Sequence, residues 1–174
     1  MSRAPALERD QVPEEILALY DMVEKLPAAP RLTSKTLAHS PPGLRLFLEL
    51  THTMMTLTLD PRLRELAFVA VSRLNESAIC DTFHSSVGRK VGLTSAQLDG
   101  LADAMASPAY REVERLVIRY AEQLTLSGDV DDALHAALAA HLPRRQLVEL
   151  AVTVAAAQFS NCVNAALKVD LQHP

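Results

Sequence analysis

The chain has 174 residues, enough for one domain with a real hydrophobic core. Hydrophobic residues make up 49% and charged residues 22%, as in a globular protein. The net charge is −4 and no basic cluster appears, Arg62/Arg64 and Arg144/Arg145 being only pairs, which argues weakly against a nucleic-acid partner.

In chain order, Pro13 opens a helix through EEILALYDMVEKL, with Ile16, Leu19, Tyr20 and Val23 on one stripe. Pro27 and Pro30 are expected to end it, and a short piece at 34–39 follows. Pro41 and Pro42 start a helix through GLRLFLELTHTMMTL. Asp60-Pro61 reads as a cap followed by proline at the first helical position. Leu63, Leu66, Ala67, Ala70, Val71 and Leu74 then form a core stripe, with Glu65 and Val69 expected off it. Residues 75–77 break this helix, and the next one carries Cys80 and His84 to a stop near Gly92. Thr94 caps SAQLDGLADA, and Pro108 precedes AYREVERLVIRYAEQLTL, which stops at Ser127-Gly128. Asp129 starts VDDALHAALAAHL, which ends before Pro143.

From about Arg144 the last helix is apolar on nearly every face, so it belongs at the centre of a bundle or at a subunit interface. Residues 150–167 carry no charge and approach membrane-spanning length, but Thr153, Gln158, Ser160, Asn161 and Asn164 point to a buried helix rather than a membrane span. The expectation is an all-α fold of seven or eight helices in a single domain, 1–174. Strand signals are missing, and no linker is long enough to separate the chain into domains. The opening MSRAPALERDQVPEE lacks an apolar core segment, so a cytoplasmic location is expected. Cys80 and Cys162 are too few and too far apart for a disulfide framework.

The stretch ESAICDTFHSSVGRKVGL, from Glu76 to Leu93, carries the chemistry. Helical spacing places Ser77, Cys80 and His84 on one face. A cap at Asn75 or Ser77 puts Cys80 in the first turn, where the positive end of the helix dipole favours a thiolate. His84, one turn on, can hold or relay a proton. If the chain turns back at 75–77, Glu65 comes level with the region of His84, and a carboxylate, an imidazole and a thiol could line up as a relay. The same residues also suit a small buried cysteine, a satisfied histidine and a solvated glutamate. Cys80, His84 and Glu65 supply too few ligands for zinc, so neither metal nor cofactor is expected.

This pattern resembles the carboxymuconolactone decarboxylase superfamily, which includes the alkylhydroperoxidase D-like proteins. The peroxidase-like branch has a Cys-x-x-Cys-x-x-x-His helix, a glutamate twelve residues before the first cysteine, and a Gly-Leu-Ser/Thr turn after it. Here stand Glu65, Ser77-x-x-Cys80-x-x-x-His84 and Gly92-Leu93-Thr94, and the likeness runs from about Leu17 to Asp170. Ser77 replaces the first cysteine, the resolving thiol, whereas Cys80 matches the position associated with peroxide attack. The decarboxylase branch tends to carry a glutamate at the Cys80 position, which this chain lacks.

The resemblance implies a thiol-dependent, peroxiredoxin-type antioxidant enzyme with Cys80, His84 and Glu65 as catalytic residues. Ser77 and Arg62 would be pocket residues, the substrate a hydroperoxide, and an external thiol the reductant, with Cys162 expected to be buried and inert. It also implies a homo-oligomer: a dimer, trimer or hexamer. A lyase or isomerase of small lactones or carboxylates, with Arg62, Arg64 or Arg89 binding the carboxylate, and a non-catalytic helical oligomer are the alternatives.

Overall fold

The computed structural model describes residues 2–169. Among them the secondary structure is helical, without strands. Nine α-helices follow one another: α1 (Leu17–Val23), α2 (Ala28–Leu37), α3 (Pro41–Thr56), α4 (Pro61–Leu74), α5 (Ala78–Lys90), α6 (Ser95–Asp99), α7 (Glu112–Ser127), α8 (Asp132–Ala139) and α9 (Arg144–Leu167). Short 3-10 turns lie at Arg9–Gln11, Glu14–Ile16 and Leu101–Asp103. The chain forms two compact units, one of Leu57–Asn161 and the other of Met1–Thr56 with Cys162–Pro174.

In the unit formed by the chain ends, Ile16, Tyr20, Val23, Ala38 and Leu44 build a core with Val12. The expected first helix is broken into a 3-10 turn and a seven-residue α1. Pro30 does not end a helix; it sits in the first turn of α2, where its missing N–H costs no hydrogen bond. Thr33 of α2 donates from its hydroxyl to Asn164 Oδ1 at 2.9 Å.

In the other unit α4 is the central helix. It starts as the sequence dictates, with the Asp60 carboxylate accepting from the Arg62 N–H at 2.8 Å and Pro61 at the first position. Its residues are then buried on almost every face, Glu65 and Val69 included, at 2% and 0% exposure. Leu74, expected in the core stripe, is 38% exposed. Helices α5 and α7 pack against α4.

Within this one chain helix α9 is covered on part of its surface. Leu150, Val154, Ala156 and Ala157 are buried, but Val148 and Val152, one turn apart, are 60% and 38% exposed. It passes the length and hydropathy test for a membrane span, with 39% of its most apolar window buried. Polar contacts tie it to α4 and its lead-in. The Glu149 carboxylate accepts from the Leu59 N–H at 2.7 Å and the Thr58 hydroxyl at 2.9 Å, and Asn75 Nδ2 donates to Gln158 Oε1 at 2.7 Å.

Candidate active site

The α4–α5 hairpin builds the site. Its turn is tight: Ser77 N–H donates to Ser72 C=O at 2.8 Å, and Glu76 takes a left-handed φ of 52°. Arg73 of α4 donates through Nε to both oxygens of Asp81 on α5, at 3.2 and 3.3 Å, and the Ser85 hydroxyl donates to Asp81 at 2.8 Å. The clamped turn lays α5 back along α4, and His84 Nδ1 lies 2.7 Å from Glu65 Oε2.

Ser77 is the N-cap of α5, with its hydroxyl making no capping bond, and Cys80 is the third residue of the helix. The thiol thus sits in the first turn, at the positive end of the helix dipole. Cys80 is 7% exposed, and neither it nor Cys162 is in a disulfide. His84 follows four residues later, one helical turn on.

Two aromatic rings hold the imidazole. Phe68 of α4 stacks on it with centroids 3.9 Å apart and planes 4° from parallel. Phe83 meets it edge-on at 5.0 Å and 79°. Glu65 is held from its other side, for Arg64 Nε donates to Oε1 at 3.1 Å. An ionised carboxylate only accepts hydrogen bonds, so a neutral imidazole beside ionised Glu65 carries its hydrogen on Nδ1 and leaves Nε2 as an acceptor.

The structure therefore brings Glu65 and His84 together and sets Cys80 one turn before the histidine. Arg62, expected at the pocket, reaches elsewhere. Its guanidinium donates to Glu114 Oε1 at 3.1 Å, to Gln97 Oε1 at 3.3 Å and to the carbonyl of Gly92. Gly92 ends α5 at φ +92°, a conformation that favours glycine, and a Cβ there would meet Arg62 Nη1 at 3.0 Å. Cys162, expected to be buried, is exposed. Sequence reasoning missed Phe68, Phe83 and the Arg64 contact. Phe68 lies three residues after Glu65 on the same helix, a spacing that could have found it. Among the described residues no three His, Cys, Asp or Glu side chains gather as metal ligands would.

The site falls inside the stretch of the chain that comparison recognises: residues 41–123 match the Carboxymuconolactone decarboxylase family. The uncharacterised protein YnjA of Escherichia coli (strain K12) is 32% identical over 116 residues, 66% of this chain and 63% of that protein. This chain thus spans less than two thirds of that relative's length. The alkylhydroperoxidase AhpD core of an uncharacterised peroxidase-related protein from Ralstonia eutropha JMP134 superposes with a TM-score of 0.81 at 22% identity, covering 97% of this chain and 91% of that one. The debrominase Bmp8, crystallised with 2,3,4-tribromopyrrole, superposes with a TM-score of 0.80 at 19% identity, covering 98% and 92%. Likenesses at such identities establish the fold. They give the chain the alkylhydroperoxidase D-like fold, and its residues 41–123 are similar to the Carboxymuconolactone decarboxylase family.

Proposed function

We propose that the protein is a thiol-dependent peroxidase-like enzyme that works through a single reactive cysteine. The observation that carries this reading is the 2.7 Å contact between His84 Nδ1 and Glu65 Oε2, formed one helical turn from Cys80. It turns the free imidazole nitrogen, Nε2, into a proton acceptor for a thiol at a helix N-terminus.

In the reaction, His84 takes the Cys80 proton and the thiolate attacks the terminal oxygen of a hydroperoxide. An S–O bond forms as the O–O bond breaks, and the alcohol departs with the proton that His84 returns. Cys80 is left as a sulfenic acid, two electrons oxidised. Ser77 stands where a neighbouring thiol would resolve it, and its hydroxyl cannot form a disulfide. An external thiol therefore attacks the sulfenic sulfur, releasing water and leaving a mixed disulfide, and a second thiol equivalent restores Cys80. The rings of Phe68 and Phe83 keep the imidazole in one orientation through these proton transfers.

The test is consumption of an organic hydroperoxide with an added thiol, followed with mass spectrometry of the Cys80 peptide. Wild type should turn over only with the thiol present and should accumulate sulfenic acid when the thiol is withheld. Cys80→Ser should abolish turnover; a variant as fast as wild type removes the redox reading. Ser77→Cys should let the chain form a local disulfide with Cys80 and raise dithiol-coupled turnover.

A further inference from the structure

We propose that Arg64 is a positioning residue of this site: its guanidinium holds Glu65 as an ionised, oriented carboxylate and so keeps His84 in the tautomer whose Nε2 accepts protons. The inference deepens the reading of Cys80 and His84 as the reacting pair, and rests on it, but its first test needs no turnover.

Three observations converge on Arg64. Adjacent residues on a helix point about 100° apart, so neighbours rarely meet as ion pairs. Arg64 nevertheless bends back so that Nε, the nitrogen nearest its stem, meets Glu65 Oε1 at 3.1 Å. The two oxygens of Glu65 are also divided: Oε1 serves Arg64 and Oε2 serves His84. Finally, the Glu65 side chain is 3% exposed and that of Arg64 15%, so the pair lies largely away from solvent.

Chemistry sets the consequence. A buried carboxylate without a cation tends to take up a proton. A protonated Glu65 could donate to Nδ1, which would force the ring hydrogen onto Nε2 and remove the base. Guanidinium has donors only and stays charged at any working pH, so it favours the form of Glu65 that accepts from Nδ1. The imidazole cannot answer by turning over, because Phe68 stacks on its face and Phe83 abuts its edge. With the ring fixed, the position of its proton is the remaining variable, and Arg64 sets it through Glu65.

The experiment is long-range proton–nitrogen NMR on the full chain with 15N-labelled histidine, at a pH about two units above the ordinary imidazole value of ~6.5. The six histidines include His84, assigned from a His84→Ala spectrum. Wild type should show hydrogen on Nδ1 and none on Nε2. Arg64→Gln should lose that pattern, with hydrogen appearing on Nε2, and Arg64→Lys should keep it. Arg64→Met, which retains much of the apolar stem, replaces the glutamine variant if circular dichroism shows that variant unfolded.

A wild-type Nε2 that carries hydrogen overturns the proposal, as does an unchanged tautomer in the uncharged variant. A lysine variant that behaves like the glutamine one overturns the role given to the charge. In turnover, kcat of Arg64→Gln should fall roughly 10–100-fold with KM little changed, the usual cost of losing a group that orients a functional one. If wild type consumes no peroxide yet the tautomer pattern follows Arg64 as stated, the peroxidase reading fails and this one stands.

Discussion

Two glutamates are buried against α4 and are held in opposite ways. Glu114, at the start of α7, is 1% exposed and surrounded by fixed donors. Oε1 accepts from Arg62 at 3.1 Å and Arg111 at 3.0 Å, and Oε2 accepts from the Arg111 N–H at 2.8 Å and Gln97 at 3.3 Å. Glu65 is as deeply buried, at 2%, but shares its carboxylate between one arginine and an imidazole. A guanidinium never gives up its proton under working conditions, whereas an imidazole does so near neutrality. The first arrangement joins α7, α4 and the α5–α6 turn into a rigid frame. The second sets a titratable imidazole where the first has a second fixed cation.

That contrast predicts different costs for one substitution. Glu114→Gln should destabilise the fold by about 2–3 kcal/mol, below the ~3–5 of a fully buried pair because Arg111 can turn towards water. Glu65→Gln should cost about 1–2 kcal/mol, the scale of charge-assisted hydrogen bonds, but should slow peroxide turnover by ~10²–10⁴. Urea unfolding and a peroxide assay on both variants measure the two axes. Equal destabilisation, or a Glu65→Gln enzyme at full speed, would break the comparison.

The frame was more legible in the sequence than the site's surroundings. Asp60-Pro61, Thr94 with Gln97, and Gly128 at φ 73° are local signals, and local signals set helix ends. The Glu65–His84 meeting was legible only as a region, because a turn at 75–77 folds α5 back along α4 without fixing which residues come level. Periodicity gives a face but not its neighbours. Glu65 was therefore read as lying off the core, although α4 is covered on nearly all sides. Arginine's long stem defeats spacing arguments for a different reason: Arg62 and Arg64, two residues apart, serve Glu114 and Glu65 respectively. Helix α9 shows a third limit: its apolar composition does not say how much of it the chain itself covers.

Acid should expose the Glu114 frame. Burial pushes this carboxyl up, but the bonds from Arg111 and Arg62 outweigh burial and leave it below its ordinary value of 4.5. A carboxyl lowered in the fold binds fewer protons than in the unfolded chain. Its stabilisation is complete above about 4.5 and fades as pH falls through the lowered value. The stability gap between wild type and Glu114→Gln should therefore narrow steadily below that pH. Unfolding midpoints for both proteins from neutral pH down to about 3, across the ordinary carboxyl range, provide the measurement. A gap that stays constant would mean that packing, not charge, holds Glu114.

A third glutamate completes the series with the smallest effect. Glu122, further along α7, is half-buried. Burial raises its carboxyl above the ordinary value of 4.5, and the charge of Arg119 on the same helix offsets this only partly. The sign is now reversed. The folded state holds the proton more tightly, so stability falls as pH rises from about 4.5 through the raised value. Glu122→Gln removes that penalty and should stabilise the protein at neutral pH by up to about 0.5 kcal/mol, the range of substitutions away from special sites. Below the ordinary carboxyl value, where Glu122 is protonated in both states, the difference should vanish. Thermal midpoints of the two proteins at acid and neutral pH decide it. A variant less stable than wild type at neutral pH would show that Arg119 stabilises ionised Glu122 and that it belongs with Glu114 after all.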